Sequence, residues 1–301
     1  MHRYRHLMVG LARTESDAGL IRYAAMVARL GTTSAVRFVH VLPNAADPSA
    51  AHDHDGILAE MQADVRPHFT GVPETAQVSF DVLTGPLVDR LLAHVAEKQV
   101  DLLLVGHRRS HPGRYALARR LAMKAPCSVW MVPEGAPAAL HRILVPIDFS
   151  EHAADSLRVA TSMARLSGHA ECLALHVYFN EAVVTYEEYD PVLRGQEEQA
   201  YRQFIAPINC QGVKVTPLFE EGANVAHVIG RLAERHGADL IVMATRGRSR
   251  SAAIMLGSVT EEMIVETRVP LLAVKHFGAR LGVLQALLDR TFHRHSGLQF
   301  N

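Results

Sequence analysis

DLIVMATRGRSRSAAIMLGSVTEEMIVE, residues 239–266, decides how this chain folds. It opens with a short, nearly unbroken apolar run, DLIVMA, which is how a strand covered on both faces of a parallel sheet reads. A polar stretch with glycines at 247 and 257 follows, and a helical pattern then runs from Val259 to Glu266. On either side, VAHVIGRLAERHG at 225–237 has helical spacing and PLLAVK at 270–275 is another buried strand. Strands alternating with amphipathic helices in this order predict a doubly wound α/β sheet.

The same order occurs earlier in the chain. LVDRLLAHVAEKQ at 87–99 precedes DLLLVG at 101–106, and CSVWMV follows at 127–132. The openings of the two halves also correspond, 136 positions apart. HLMVGL at 6–11 matches RILVPI at 142–147, and VRFVHVL at 36–42 matches CLALHVY at 172–178. Arg29 falls on Arg165 and His40 on His176. A repeat carrying both periodicities predicts two tandem copies of one domain. They are read as residues 1–133 and 142–276, joined by a compact linker at 134–141 and followed by a C-terminal segment at 277–301. Loops at 45–55 and 180–190 lead into helices expected near 56–68 and 192–205. Each loop either covers a site, forms a partner surface or is a solvated connection.

The 301 residues suffice for two cores, and 49% apolar with 21% charged residues is the balance of a folded, soluble chain. Thirty-one basic residues offset thirty-one acidic ones, so no specific nucleic-acid signal stands out. No stretch reaches the roughly 18 apolar residues of a membrane span. Cys127, Cys172 and Cys210 form no CxxC pair and read as buried thiols of a reducing, cytoplasmic compartment. Eighteen histidines, among them His2, His6, His293 and His295, show no metal-ligand spacing, so no metal residue is assigned. Neither GxSxG nor HExxH occurs, and no catalytic residue is named.

The loop at 244–260 carries the chemistry. Gly247 permits a tight path, and Gly257 leaves room where a side chain would intrude. Amides at the start of the following helix suit anionic oxygens, with Ser258 and Thr260 as hydroxyl donors and Arg246, Arg248 and Arg250 as positive charge. The arginines could equally face solvent and the glycines serve geometry alone. This is neither a Walker loop nor GxGxxG. Beside it, at the sheet's C-terminal edge, the loop Pro146-Ile147-Asp148-Phe149-Ser150 places Asp148 for ribose hydroxyls or a cation. Asp148 and Ser150 are also ordinary helix caps. Val177 could meet a flat base, and taken alone it is a strand valine.

Taken together, these motifs resemble the universal stress protein family, specifically its tandem members, over nearly all of residues 4–276. Nucleotide-binding members carry a glycine, two residues, a glycine, nine residues, then glycine and serine or threonine. Gly247, Gly257 and Ser258 fit that spacing, with Ala244 at the first glycine. The resemblance implies a fold similar to that of the adenine nucleotide alpha hydrolases. It implies ATP as ligand, or ADP or AMP, with Mg²⁺ held through water. Asp148 would contact ribose, Ile147 and Val177 would line the adenine pocket, and Gly247, Gly257, Ser258 and Val259 would surround the phosphates, with Pro146 a further candidate binding residue. In the first half Ala12 replaces Asp148 and the region 106–126 is six residues shorter than 244–270, so that half is expected to have lost its nucleotide site.

The resemblance further implies that the strands at 127–132 and 270–275 pair within the chain, and that whole chains form a homodimer. Leu281, Leu284, Leu287, Leu288 and Phe292 have the spacing of an amphipathic helix that docks on its own chain, joins two chains or lies on a membrane surface. The leading expectation is an ATP-binding stress-response regulator that changes shape or partner contacts, including those with a regulatory protein, on occupancy. A slow Mg²⁺-assisted ATPase and a nucleotide-free protein-interaction scaffold are the alternatives.

Overall fold

A computed structural model describes residues 4–43, 54–107, 112–168, 170–178, 190–245 and 256–275. The first half contains β1 (His6–Leu11), α1 (Asp17–Arg29), β2 (Ala35–Leu42), α2 (His54–Val65), β3 (Gln77–Thr84), α3 (Leu87–Glu97), β4 (Leu102–His107), α4 (Pro112–Lys124) and β5 (Ser128–Pro133). The second repeats the order as β6 (Arg142–Pro146), α5 (Glu151–Ser167), β7 (Glu171–Tyr178), α6 (Asp190–Ile205), β8 (Val215–Glu221), α7 (Val225–Arg235), β9 (Leu240–Ala244), α8 (Ser258–Glu266) and β10 (Leu271–Val274).

The ten described strands form one sheet in the order β3-β2-β1-β4-β5-β10-β9-β6-β7-β8. Each half is parallel and doubly wound. The halves meet where β5 and β10 run antiparallel, with Trp130 opposite Leu272. This joint, expected from the resemblance, covers two edges that would otherwise expose unpaired backbone groups.

The pleat sends alternate side chains to opposite faces. Leu7, Val9, Leu104, Trp130, Ile143, Val145, Val242 and Leu272 pack with α1, α2, α5 and α6 on one side. Met8, Leu103, Val129, Met131, Leu144, Ile241 and Leu271 pack with α3, α4, α7 and α8 on the other. Both layers run without a break across the joint. At the linker, the Tyr23 hydroxyl donates to the Pro137 carbonyl at 2.5 Å. The Tyr23 ring meets Trp130 edge-on at 5.7 Å between centroids.

Equivalent carboxylates close the base of each half. Asp101 accepts from the amides of Arg5 and His6, and Asp239 from those of His141 and Arg142. Burial raises the Asp101 pKa above the ordinary carboxylate value, against the pull of those two N–H donors.

Three elements were not anticipated. Strands β3 and β8 are the outermost of the sheet, half exposed and interrupted by polar residues, and β8 contains Pro217, which an edge strand tolerates. Helix α4 occupies most of the shortened segment of the first half. The expected helices near 56–68 and 192–205 are present as α2 with its following 3-10 turn, and as α6. Cys127 and Cys172 are buried, whereas Cys210 is only partly so. The C-terminal amphipathic segment, Arg246, Gly247, Arg248 and Arg250 lie outside the described residues. Among the described residues no helix is long and apolar enough to cross a membrane.

Candidate functional site

The C-terminal ends of β7, β6 and β9 lie side by side, and the segments leaving them carry the candidate residues. Pro146 ends β6. The Ile147 amide then donates to the Leu175 carbonyl at 2.8 Å. His176 returns the tie, its Nδ1 standing 2.9 Å from the Ile147 carbonyl oxygen. Because that oxygen only accepts, Nδ1 carries the proton of this bond. Its Nε2 faces the Glu197 carboxylate on α6 at 3.1 Å.

Ile147 and Val177 diverge. The Ile147 side chain, 5% exposed, enters the core layer under α5 and α6, so its backbone is what remains at the sheet edge. Val177 is half buried against the opposite layer, which includes α8.

Phe149 adopts a left-handed backbone with φ of 61°, sparsely populated for a residue with a side chain. The kink turns the chain from β6 into α5. The ring is held by stacking on His176, with centroids 4.2 Å apart. Asp148 Oδ1 accepts from the Ser150 amide at 3.1 Å and the Ser150 hydroxyl at 2.6 Å. Ser150 Oγ in turn accepts from the Ala153 amide at 3.2 Å, capping α5. Asp148 is thus oriented by its own turn, half exposed at the sheet edge.

Across the neighbouring strand, Ala244 ends β9 in extended backbone, so its methyl group meets no left-handed strain. The Gly257 amide donates to the Thr245 carbonyl at 2.8 Å, fixing the start of α8 over the end of β9. Gly257 has φ of −65° and ψ of 141°, a conformation open to any residue, so backbone strain does not demand glycine here. Among the described residues no side chain caps α8, in contrast to Ser150 on α5 and Asn224 on α7. Ser258 is exposed and Val259 half buried beside that helix start. Thr260 is turned inward and 3% exposed. Its hydroxyl donates to the Ala244 carbonyl at 2.9 Å, which spends on the scaffold the hydrogen expected for a phosphate.

The first half closes the same region with its own side chains. Arg13, equivalent to Phe149, has φ of 58°. The buried carboxylate of Asp17 accepts from the amides of Ala12, Arg13 and Thr14 at 3.1, 2.7 and 3.3 Å. The Arg13 guanidinium crosses to Glu60 and, at 3.2 Å, to Asp64 on α2. His40 reproduces the bond of His176, its Nδ1 lying 3.0 Å from the Leu11 carbonyl oxygen. Among the described residues no group of three or more His, Cys, Asp or Glu is placed to hold a metal ion.

Comparison with known proteins agrees with this duplication. The Universal stress protein family matches residues 3–133 and again 139–275. Universal stress protein MJ0531 of Methanocaldococcus jannaschii is 29% identical over 140 residues, spanning 44% of this chain and 81% of that protein. Universal stress protein MJ0577 of the same organism is 27% identical over 154 residues, spanning 44% and 94%. A putative universal stress protein of Pseudomonas aeruginosa superposes with a TM-score of 0.71 at 18% identity, covering 95% of this chain and 98% of that one. That superposition establishes the fold of both halves together.

Proposed function

Since the chain belongs to the universal stress protein family, with two tandem copies of its domain, we propose that it is a regulatory protein that binds ATP in its second half. The observation that carries this reading is the start of α8 at Gly257, Ser258 and Val259, which no described side chain caps and which follows the strand next to the one that delivers Asp148. Backbone N–H groups at a helix start attract anionic oxygens, and Gly257 leaves room for them. Asp148, held by Ser150, is an acceptor suited to ribose hydroxyls or to water around Mg²⁺. Pro146, the backbone of Ile147 and the side chain of Val177 are the candidate margin of the base, and Ala244, Arg246, Gly247 and Arg248 are the further candidates for phosphate contact. Thr260 secures α8 to β9. ADP and AMP share the groups that this site recognises.

The chain's contribution is to hold both sides of the cleft on one sheet, and a regulatory partner in stress adaptation reads its occupancy. Among the described residues no side chain is placed as a general base, and the reading is one of binding rather than efficient turnover. The first half is a structural copy, its loop amides already engaged by Asp17. On this reading the protein works in the cytoplasm as a homodimer of two-domain chains.

Calorimetric titration of ATP into the purified chain, with and without Mg²⁺, tests the reading. Saturable binding of one nucleotide per chain, weakened by Asp148→Ala and Gly257→Arg, is expected. Absence of adenine-nucleotide binding by the wild-type chain overturns it.

A further inference from the structure

Helices α4 and α8 belong to different halves yet pack against each other beside the β5–β10 joint. Across that contact the Arg119 Nε donates to Glu261 Oε1 at 2.5 Å, both side chains being a little over one-third exposed. Glu261 lies in the first turn of α8, where its amide closes the opening helical bond onto the Gly257 carbonyl at 2.9 Å. At a rise of about 1.5 Å per residue it stands about 4.5 Å along the axis from Ser258. Glu262 follows it and accepts from the Asn224 side-chain amide at 2.8 Å. Two carboxylates therefore crowd the end of the helix at which phosphates would sit.

Such carboxylates favour the bare helix start but repel an anionic ligand placed there. Arg119 neutralises one of them. The pairing does not obey the pseudo-twofold relation of the halves. With Pro126 aligned on Pro270, Glu261 corresponds to Leu117 and Arg119 to Met263, both apolar members of the packed layer between these helices and the sheet. The equivalent positions are thus apolar, and the charged pair breaks the symmetry of the halves.

We propose that Arg119 is a positioning and specificity residue contributed by the first half to the second half's site. By pairing with Glu261 it sets the charge at the start of α8 and so favours triphosphate over uncharged nucleoside. The proposal rests on the nucleotide reading given above and adds to it a task for the first half.

The test is calorimetric binding of ATP and of adenosine to the full chain as wild type, Arg119→Ala, Glu261→Gln, and Arg119→Ala with Glu261→Gln. Arg119→Ala is expected to weaken ATP about 3- to 10-fold while changing adenosine less than about 2-fold, and the loss is expected to shrink in high salt. The Glu261→Gln change should restore ATP affinity in the Arg119→Ala background. If Arg119→Ala unfolds the chain, Arg119→Met with Glu261→Leu, which copies the pair of the equivalent point, keeps the packing and is expected to bind ATP as the wild type does. Equal losses for ATP and adenosine, an unchanged ratio, or failure of both double variants to bind ATP as tightly as wild type overturns the proposal while leaving the nucleotide reading intact. A wild type that binds neither ligand overturns both.

Discussion

The imidazole Nδ1 of His176 donates to the carbonyl oxygen of Ile147 across 2.9 Å, tying β7 to the loop that carries Asp148. His176 is 8% exposed, and its other ring nitrogen faces Glu197. His176→Phe keeps the stacking on Phe149 but leaves the Ile147 carbonyl without its donor. A loss of about 1–3 kcal/mol is expected, read as a lower urea midpoint with an unchanged slope. An unchanged midpoint would show that water replaces the ring without cost.

Asp17 and Ser150 organise equivalent turns in different ways. Asp17 is a buried carboxylate serving three amides, whereas Ser150 is a neutral cap serving one. Asp17→Ala should therefore cost about 2–4 kcal/mol and Ser150→Ala about 1 kcal/mol in equilibrium unfolding. Equal costs would remove the distinction between a turn locked by its own carboxylate and one capped by a hydroxyl.

Trp130, the one tryptophan of the chain, is fully buried at the joint of the halves. Both core layers cross that joint, so tryptophan fluorescence and far-ultraviolet circular dichroism should report the same unfolding midpoint. Trp130→Ala is expected to cost about 3–5 kcal/mol. Two separated transitions in the wild type would mean that the halves unfold independently.

Burial pushes the Cys127 and Cys172 thiols up to about 12, from 9.0. A folded state that holds its protons more tightly than the unfolded chain loses stability as pH rises between those two values. Each thiol contributes a slope of about 1.4 kcal/mol per pH unit at most. Urea midpoints should fall from pH 8.5 to pH 10.5, and Cys127→Ala with Cys172→Ala should flatten that decline. The same burial predicts that iodoacetamide at pH 8 labels Cys210 well ahead of the other two. Uniform labelling of the native chain would contradict this.

Much of the scaffold was legible because its information is local. Continuous apolar runs such as LLLV and LIVM mark strands covered on both faces, and they became the central strands β4 and β9. Strands at the rim answer to different physics. In QVSFDVLT and VTPLFEE one edge faces solvent, so polar residues and a proline enter and the apolar signal fades. Helix α4 was hidden because it begins directly after a basic stretch and carries few large apolar residues.

The sequence by itself determined the duplication, the parallel architecture of each half, the loop carrying Asp148 and the helix start at Gly257. Each of these depends on periodicity or on residues within a few positions of one another. Tertiary structure alone decided that the Thr260 hydroxyl turns to Ala244, that Ile147 and Val177 leave the sheet on opposite faces, and that Arg119 meets Glu261 from 142 positions away. A hydrogen bond or ion pair forms when two groups come within about 3 Å. For residues far apart in the chain, that proximity is set by which strands become neighbours and how the helices settle on them.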